Sequence, residues 1–178
     1  MTYTGQFMND KPNGYGVQVK GDYSYEGEFC DGVKEGYGKE FYKEANYNGT
    51  FLKGQKHGKG VLTLKNGTVY KGDWCLGQKQ GYGVETIVQV QESNEKKTQE
   101  VYEGEFSGGY RDGFGRLSID DNGSYWYGCW HRGLKTGKFL SYNAVKKAFS
   151  LQEFDYGKAK GEPVLVEKPN PEEGKSWL

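Results

Sequence analysis

A five-residue phrase, aromatic-x-Gly-x-Phe/Trp, recurs along this chain, with glycines three, seven and nine residues beyond its closing aromatic. It reads YEGEF at Tyr25 to Phe29, YNGTF at Tyr47 to Phe51, YKGDW at Tyr70 to Trp74 and YEGEF at Tyr102 to Phe106. A fixed period constrains the fold strongly, because one short unit cannot bury an apolar surface alone and has to stack on its neighbours. With the closing Phe or Trp as anchor, the copies fall at Phe7, Phe29, Phe51, Trp74, Phe106, Trp130 and Phe154, in steps of 22, 22, 23, 32, 24 and 24 residues. The glycine seven residues on is present every time, from Gly14 to Gly161. The glycine nine residues on gives way to Phe139 in the sixth copy and Pro163 in the seventh, so the pattern decays toward the end of the array.

The first aromatic, the glycine and the anchor are spaced i, i+2, i+4, which places them on one face of a strand. A second short strand follows, such as GVLTL after Lys59 or GRLSI after Phe114, and then Asn66-Gly67 or Asn122-Gly123. Asn-Gly between alternating runs is a strong hairpin signal, since both residues tolerate positive φ. Each repeat is therefore expected to be one β-hairpin, and the fold an all-β, elongated, single-layer antiparallel solenoid. Fourteen strands at ~4.8 Å would make a twisted ribbon roughly 65 Å long. The 29 glycines are read as sockets on which neighbouring rings lie. Residues 1–162 form the expected array, with an extended hairpin around 84–101, and residues 163–178 an extended arm that begins where Pro163 ends the sheet.

The pattern YxGxW/F followed by GxxxGxG resembles the MORN repeat, over Met1 to about Gly161. Asp10 replaces the first turn glycine in the first copy, Trp126 replaces the usual Tyr in the sixth, and the seventh keeps only Phe154, Gly157 and Gly161. The resemblance implies a structural or adaptor protein, since such repeats occur in radial spoke heads, basal complexes and myosin-binding adaptors. It also implies two alternatives: a peripheral membrane or phosphoinositide-binding module, and a regulatory repeat subunit of a larger complex.

The balance of charge is neutral, with 24 basic and 24 acidic residues, so no global field favours nucleic acid. No apolar run approaches the ~18 residues of a membrane-spanning helix, and three cysteines with no CxxC pair fit a reducing, intracellular compartment. Cys30 and Cys75 occupy the same repeat position two hairpins apart, ~19 Å on the ribbon, too far for a disulfide. Neither a catalytic constellation nor a cofactor or metal site is expected. His57 and His131, the two histidines, read as surface turn residues, and Gly133 to Lys138 imitates a phosphate loop only because the repeat places glycines there. Glu28, Asp73 and Glu105 fall on the face opposite the aromatics and read as solvated.

Two rows of side chains stand out as candidate partner-binding residues. Lys34, Lys56, Lys79, Arg111 and Lys135 each follow the first turn glycine by two residues and should line one edge at ~10 Å steps, suited to an anionic partner or lipid. Tyr15, Tyr37, Tyr82 and Phe114 lie between paired turn glycines, with Lys59 breaking the series. They point away from the anchored face and are candidates for contact with protein partners. The partners expected are subunits of a ciliary or cytoskeletal complex, and exposed terminal strands permit edge-to-edge self-association.

Overall fold

The computed structural model describes residues 1–90, 97–119 and 122–169. All regular structure among them is β: β1 (Thr2–Met8), β2 (Lys11–Lys20), β3 (Tyr23–Cys30), β4 (Val33–Tyr42), β5 (Ala45–Leu52), β6 (Gln55–Leu64), β7 (Val69–Cys75), β8 (Gln78–Val90), β9 (Lys97–Ser107), β10 (Tyr110–Ile119), β11 (Tyr125–His131), β12 (Leu134–Asn143), β13 (Ala148–Asp155) and β14 (Lys158–Val166). They lie in one sheet in chain order. The chain divides into two compact units, Met1–Gly83 and Val84–Leu178. The hairpin expected around 84–101 has the long strands β8, 13 residues, and β9, 11 residues; its tip, residues 91–96, lies outside the described residues.

In the first unit the core is a file of rings on one face. Tyr25, Phe29, Tyr47, Phe51, Tyr70 and Trp74 are buried, and Tyr25 and Tyr47 each meet both their own anchor and that of the next repeat edge-on. Tyr47, for instance, lies 5.2 Å from Phe51 and 5.2 Å from Trp74, centroid to centroid. Edge-to-face pairs bring the positive rim of one ring to the negative face of another, worth ~0.5–1.5 kcal/mol each beyond area burial. The tyrosine hydroxyls are also satisfied, Tyr25 donating to Glu28 O, Tyr47 to Thr50 O and Tyr70 to Asp73 O. In the second unit Tyr102, Phe106, Trp130 and Phe139 continue the same scheme. Two anchors depart from this: Phe7 in β1 is 59% exposed, and Phe154 in β13 is half-buried.

The glycines, expected as sockets and turn residues, divide into three jobs. Only those at the middle of the phrase and nine residues past the anchor are sockets. Gly49 pairs with Gly60 across the ladder, and a Cβ on Gly60 would sit 2.5 Å from Tyr47 Cε2. The glycine seven past the anchor instead takes positive φ, 65° at Gly36 and 68° at Gly58, where the hairpin register shifts by a bulge. The glycine three past the anchor closes the tight turn with a positive-φ partner, as in Asp31 (49°) and Gly32 (84°), the φ signature of a type I′ turn. The turns at Gly32, Gly54, Gly77, Gly133 and Gly157 dock on the preceding repeat, Gly32 N donating to Pro12 O and Gly54 N to Lys34 O.

The Asn-Gly pairs differ from expectation for a related reason. Gly67 and Gly123 have positive φ, but Asn66 and Asn122 bend the chain through their side chains, accepting from Thr68 N and Ser124 N, as Asx turns do. The seventh repeat folds as a full hairpin, β13 with β14, and the ladder runs on through Pro163 to Val166. The sheet therefore continues past residue 162. Proline is tolerated because it falls in a register shift between the pairs Glu153 with Lys160 and Leu151 with Val164, where no ladder N–H is needed. The side chain of Gln152 fills that gap, donating to Lys160 O and Gly161 O.

Candidate functional site

The basic row does not project from an edge. Residues two past the turn glycine pair directly with the anchors, Phe29 with Lys34, Phe51 with Lys56, Phe106 with Arg111 and Trp130 with Lys135, so alternation sends them onto the aromatic face. Lys34 Nζ lies 5.5 Å from the Tyr25 centroid and 5.1 Å from Phe51. Lys56 Nζ lies 4.9 Å from Tyr47 and 5.5 Å from Trp74. Lys79 sits over Tyr70 at 4.9 Å, and Arg111 over Tyr102 at 4.8 Å and Trp130 at 5.6 Å. Each cation thus caps the rings of its own repeat, and most also reach the next anchor, an arrangement in which the positive group faces the ring quadrupole.

Two acids complete this face, and neither was singled out from the sequence. Glu40 is buried; it accepts from Lys34 and, at 2.7 Å, from the Tyr42 hydroxyl, and its other neighbours are the Tyr23 hydroxyl at 3.0 Å and Lys56 Nζ at 3.7 Å. Burial alone would raise its pKa, but the hydrogen bonds from Lys34, Tyr42 and Tyr23 and the Lys34 charge outweigh it and hold the carboxyl below its usual value. In the second unit Glu85 pairs with Arg111, 2.9 Å from Nη2 and 3.0 Å from Nε. Both acids fall eleven residues past an anchor, two past a socket glycine. Period-two alternation from Gly38 and Gly83 would have placed them on the aromatic face.

The opposite face carries Tyr15, Tyr37 and Tyr82, each just over half exposed. Tyr15 donates to Glu26 Oε1 at 2.6 Å and Tyr37 to Asn48, so the hydroxyls are tethered along the sheet while the rings remain accessible. Phe114, in the second unit, stacks on Tyr127 at 6.3 Å. The acids beside these rings are not simply solvated. Glu28, Asp73 and Glu105 accept the backbone N–H of Tyr37, Tyr82 and Phe114, and Gln6 does the same for Tyr15, satisfying a donor that the bulge removes from the ladder. This latch holds each outward ring at a set position.

The histidines are strand residues rather than turn residues. His57 lies within β6 with Nδ1 buried and unpartnered, and His131 ends β11, 3.5 Å from Asp112. The glycine-rich stretch Gly133 to Lys138 contains the tight-turn glycine, Gly133, and the bulge glycine, Gly137, both at positive φ. Cys30, Cys75 and Cys129 are free thiols.

A sheet of successive hairpins, with one face sealed by rings and cations and the other studded with latched tyrosines, defines a β-repeat protein that offers the same side chains at regular intervals. The MORN repeat profile matches residues 3–24, 25–44, 47–69, 70–88 and 102–124. The chain belongs to the MORN repeat family, whose repeats are generally structural or binding modules. The sixth and seventh copies fall outside the matched segments and nevertheless fold as hairpins. No curated protein sequence matches the chain.

Proposed function

We propose that this protein is a non-enzymatic scaffold that binds other proteins through its repeat faces, as a subunit of a ciliary or cytoskeletal assembly of the radial-spoke kind. The observation that carries the binding role is the row Tyr15, Tyr37 and Tyr82: three large rings of the first unit, at the same repeat position and just over half exposed, each held by an acceptor from the neighbouring strand. Exposed aromatics on rigid backbone lose little entropy on association and are favoured at protein interfaces. The ciliary or cytoskeletal setting rests on the family resemblance.

The membrane alternative has less support from the geometry, because Lys34 and Lys56 share Glu40 and Arg111 is paired with Glu85, which leaves little free positive charge on that row for an anionic headgroup. Affinity capture with the full chain, beside a Tyr15→Ser/Tyr37→Ser/Tyr82→Ser variant, tests the scaffold reading. Axonemal or cytoskeletal proteins should be retained by the first and lost from the second. Recovery of only soluble metabolic enzymes, or equal recovery by both, counts against it. Flotation with anionic vesicles at low salt addresses the alternative.

A further inference from the structure

Among the described residues Lys135 lacks the counter-ion that Lys34, Lys56 and Arg111 of the same row possess. Lys34 and Lys56 share Glu40, and Arg111 pairs with Glu85. These acids come from the position two residues past the socket, in a cation's own repeat or the one before it. For Lys135 those two positions hold Ser141 and Leu117. Among the described residues no carboxylate comes within ion-pair distance of its amine.

What surrounds Lys135 instead is a box of rings. Its Nζ lies 4.0 Å from the Trp126 centroid, 5.0 Å from Phe154, 5.5 Å from Phe139 and 5.9 Å from Trp130. Three elements supply this box. β11 gives the two tryptophans, β12 gives Phe139 and β13 gives Phe154. The charged groups that face the amine from these and adjoining strands are few. Arg111 on β10 shares the Trp130 ring, Glu153 on β13 is turned to Lys160 at 3.6 Å, and Glu100 on β9 acts only at longer range. The residue is half-buried, intermediate between the covered rings and the open surface.

We propose that Lys135 is a covalent modification site, the lysine among the described residues that most readily accepts an acyl group from an activated donor of the thioester class. In the step, the neutral nitrogen attacks the thioester carbonyl carbon. The C–N bond forms, the C–S bond breaks with its electron pair leaving on the thiolate, and the surplus proton on nitrogen passes to solvent. Removal from water pushes the Lys135 amine down to about 8, with Glu100 opposing, so a sizeable share is unprotonated near neutrality, against a very small share for a lysine at the ordinary ~10.4. Attraction between the rings and the ammonium works in the other direction, and the experiment weighs the two. The product amide carries no charge and loses its hold on the rings, which makes the sixth repeat's aromatic face responsive to acyl-donor supply.

Competitive labelling of the intact chain with a limiting amount of a small acetyl thioester at pH 7.5, read by peptide mass spectrometry, tests this. Lys135 should be acetylated at least tenfold faster than the exposed Lys138 and Lys146, with a rate that levels off near pH 8. Lys34 and Lys56, clamped by Glu40, should be slowest. A Lys135 rate equal to or below that of Lys138 overturns the proposal. A second arm uses Glu40→Gln, checked for folding by its melting curve. Labelling of Lys34 and Lys56 should rise severalfold while Lys135 is unchanged, and unaltered Lys34 and Lys56 rates would show that the missing counter-ion is not the cause.

Discussion

The third and sixth repeats solve the same packing problem with their parts exchanged. In the third, the ring comes from β5 and lies on two facing glycines, Tyr47 over Gly49 and Gly60. In the sixth, the glycine facing position holds Phe139 itself, from β12, whose ring lies on Gly128 of β11. Trp126, which stands where tyrosine would be, is displaced onto Phe154 at 5.8 Å. The ladder thus needs one large ring against one residue without a Cβ; either strand can supply either part. The exchange has a cost in polar satisfaction. Tyr47 anchors its hydroxyl on Thr50 O, whereas the Phe139 ring on the sixth socket has no donor for such a bond, and the space over Trp126 is taken by Lys135.

The largest effect that bears on this comparison should come from Phe139→Gly, which restores the family glycine but empties the socket. It is expected to cost ~4 kcal/mol, the range for removing a buried phenylalanine. Adding Trp126→Tyr should return at least ~1 kcal/mol of that loss, because the new ring can lie across Gly128. A double-mutant cycle by denaturant melts measures the coupling, and strict additivity would break the exchange model. Next is Gly60→Val in the third repeat. Its side chain would collide with the Tyr47 ring, 2.5 Å from Cε2 for the Cβ alone, and ~3 kcal/mol is expected from overpacking, a fall in melting temperature of roughly 6–12 °C. An unchanged melting temperature would refute the socket.

Glu40→Ala should follow at ~2–3 kcal/mol, since it leaves Lys34 and Lys56 facing one another without their shared acid. The pH dependence has a defined sign. The folded-state pKa of Glu40 lies below its usual value, so its stabilisation is complete above the unfolded value of ~4.3 and is lost as pH falls through the lower folded value. Melting curves below about pH 4 should therefore drop more steeply for the wild type than for Glu40→Gln. Tyr47→Phe keeps the ring and removes only the bond to Thr50 O, about 1 kcal/mol. Smallest of all is Tyr37→Ser on the opposite face, where a change within ~0.5 kcal/mol would separate a binding role for that ring from a structural one.

Much of the fold was legible in the spacing alone. Strand, turn and face follow from a two-residue alternation punctuated by glycine, and Tyr25, Phe29 and their equivalents fall on one face by counting. The three roles of glycine were harder to separate, because Gly36, at positive φ, and Gly38, beneath Tyr25, are the same letter used for opposite reasons. The basic row was found in the sequence and assigned to the wrong place. Counting from the turn suggested an edge, whereas the ladder pairs Lys34 with Phe29 and Lys56 with Phe51. The turn is only two residues long, Asp31 and Gly32, so Lys34 already lies in the strand directly opposite Phe29, ahead of the bulge at Gly36, and alternation carries it onto the aromatic face.

What the sequence determined by itself is therefore the repeat, the hairpin and the ring file, since these depend on near neighbours along the chain. Which charges remain free was decided only in three dimensions. Glu40 meets Lys56 and Glu85 meets Arg111 across strands from different repeats, while Lys135 finds rings and, among the described residues, no acid within ion-pair distance. Counter-ions act over a few ångströms of space, and the register of a bulged ladder sets that distance.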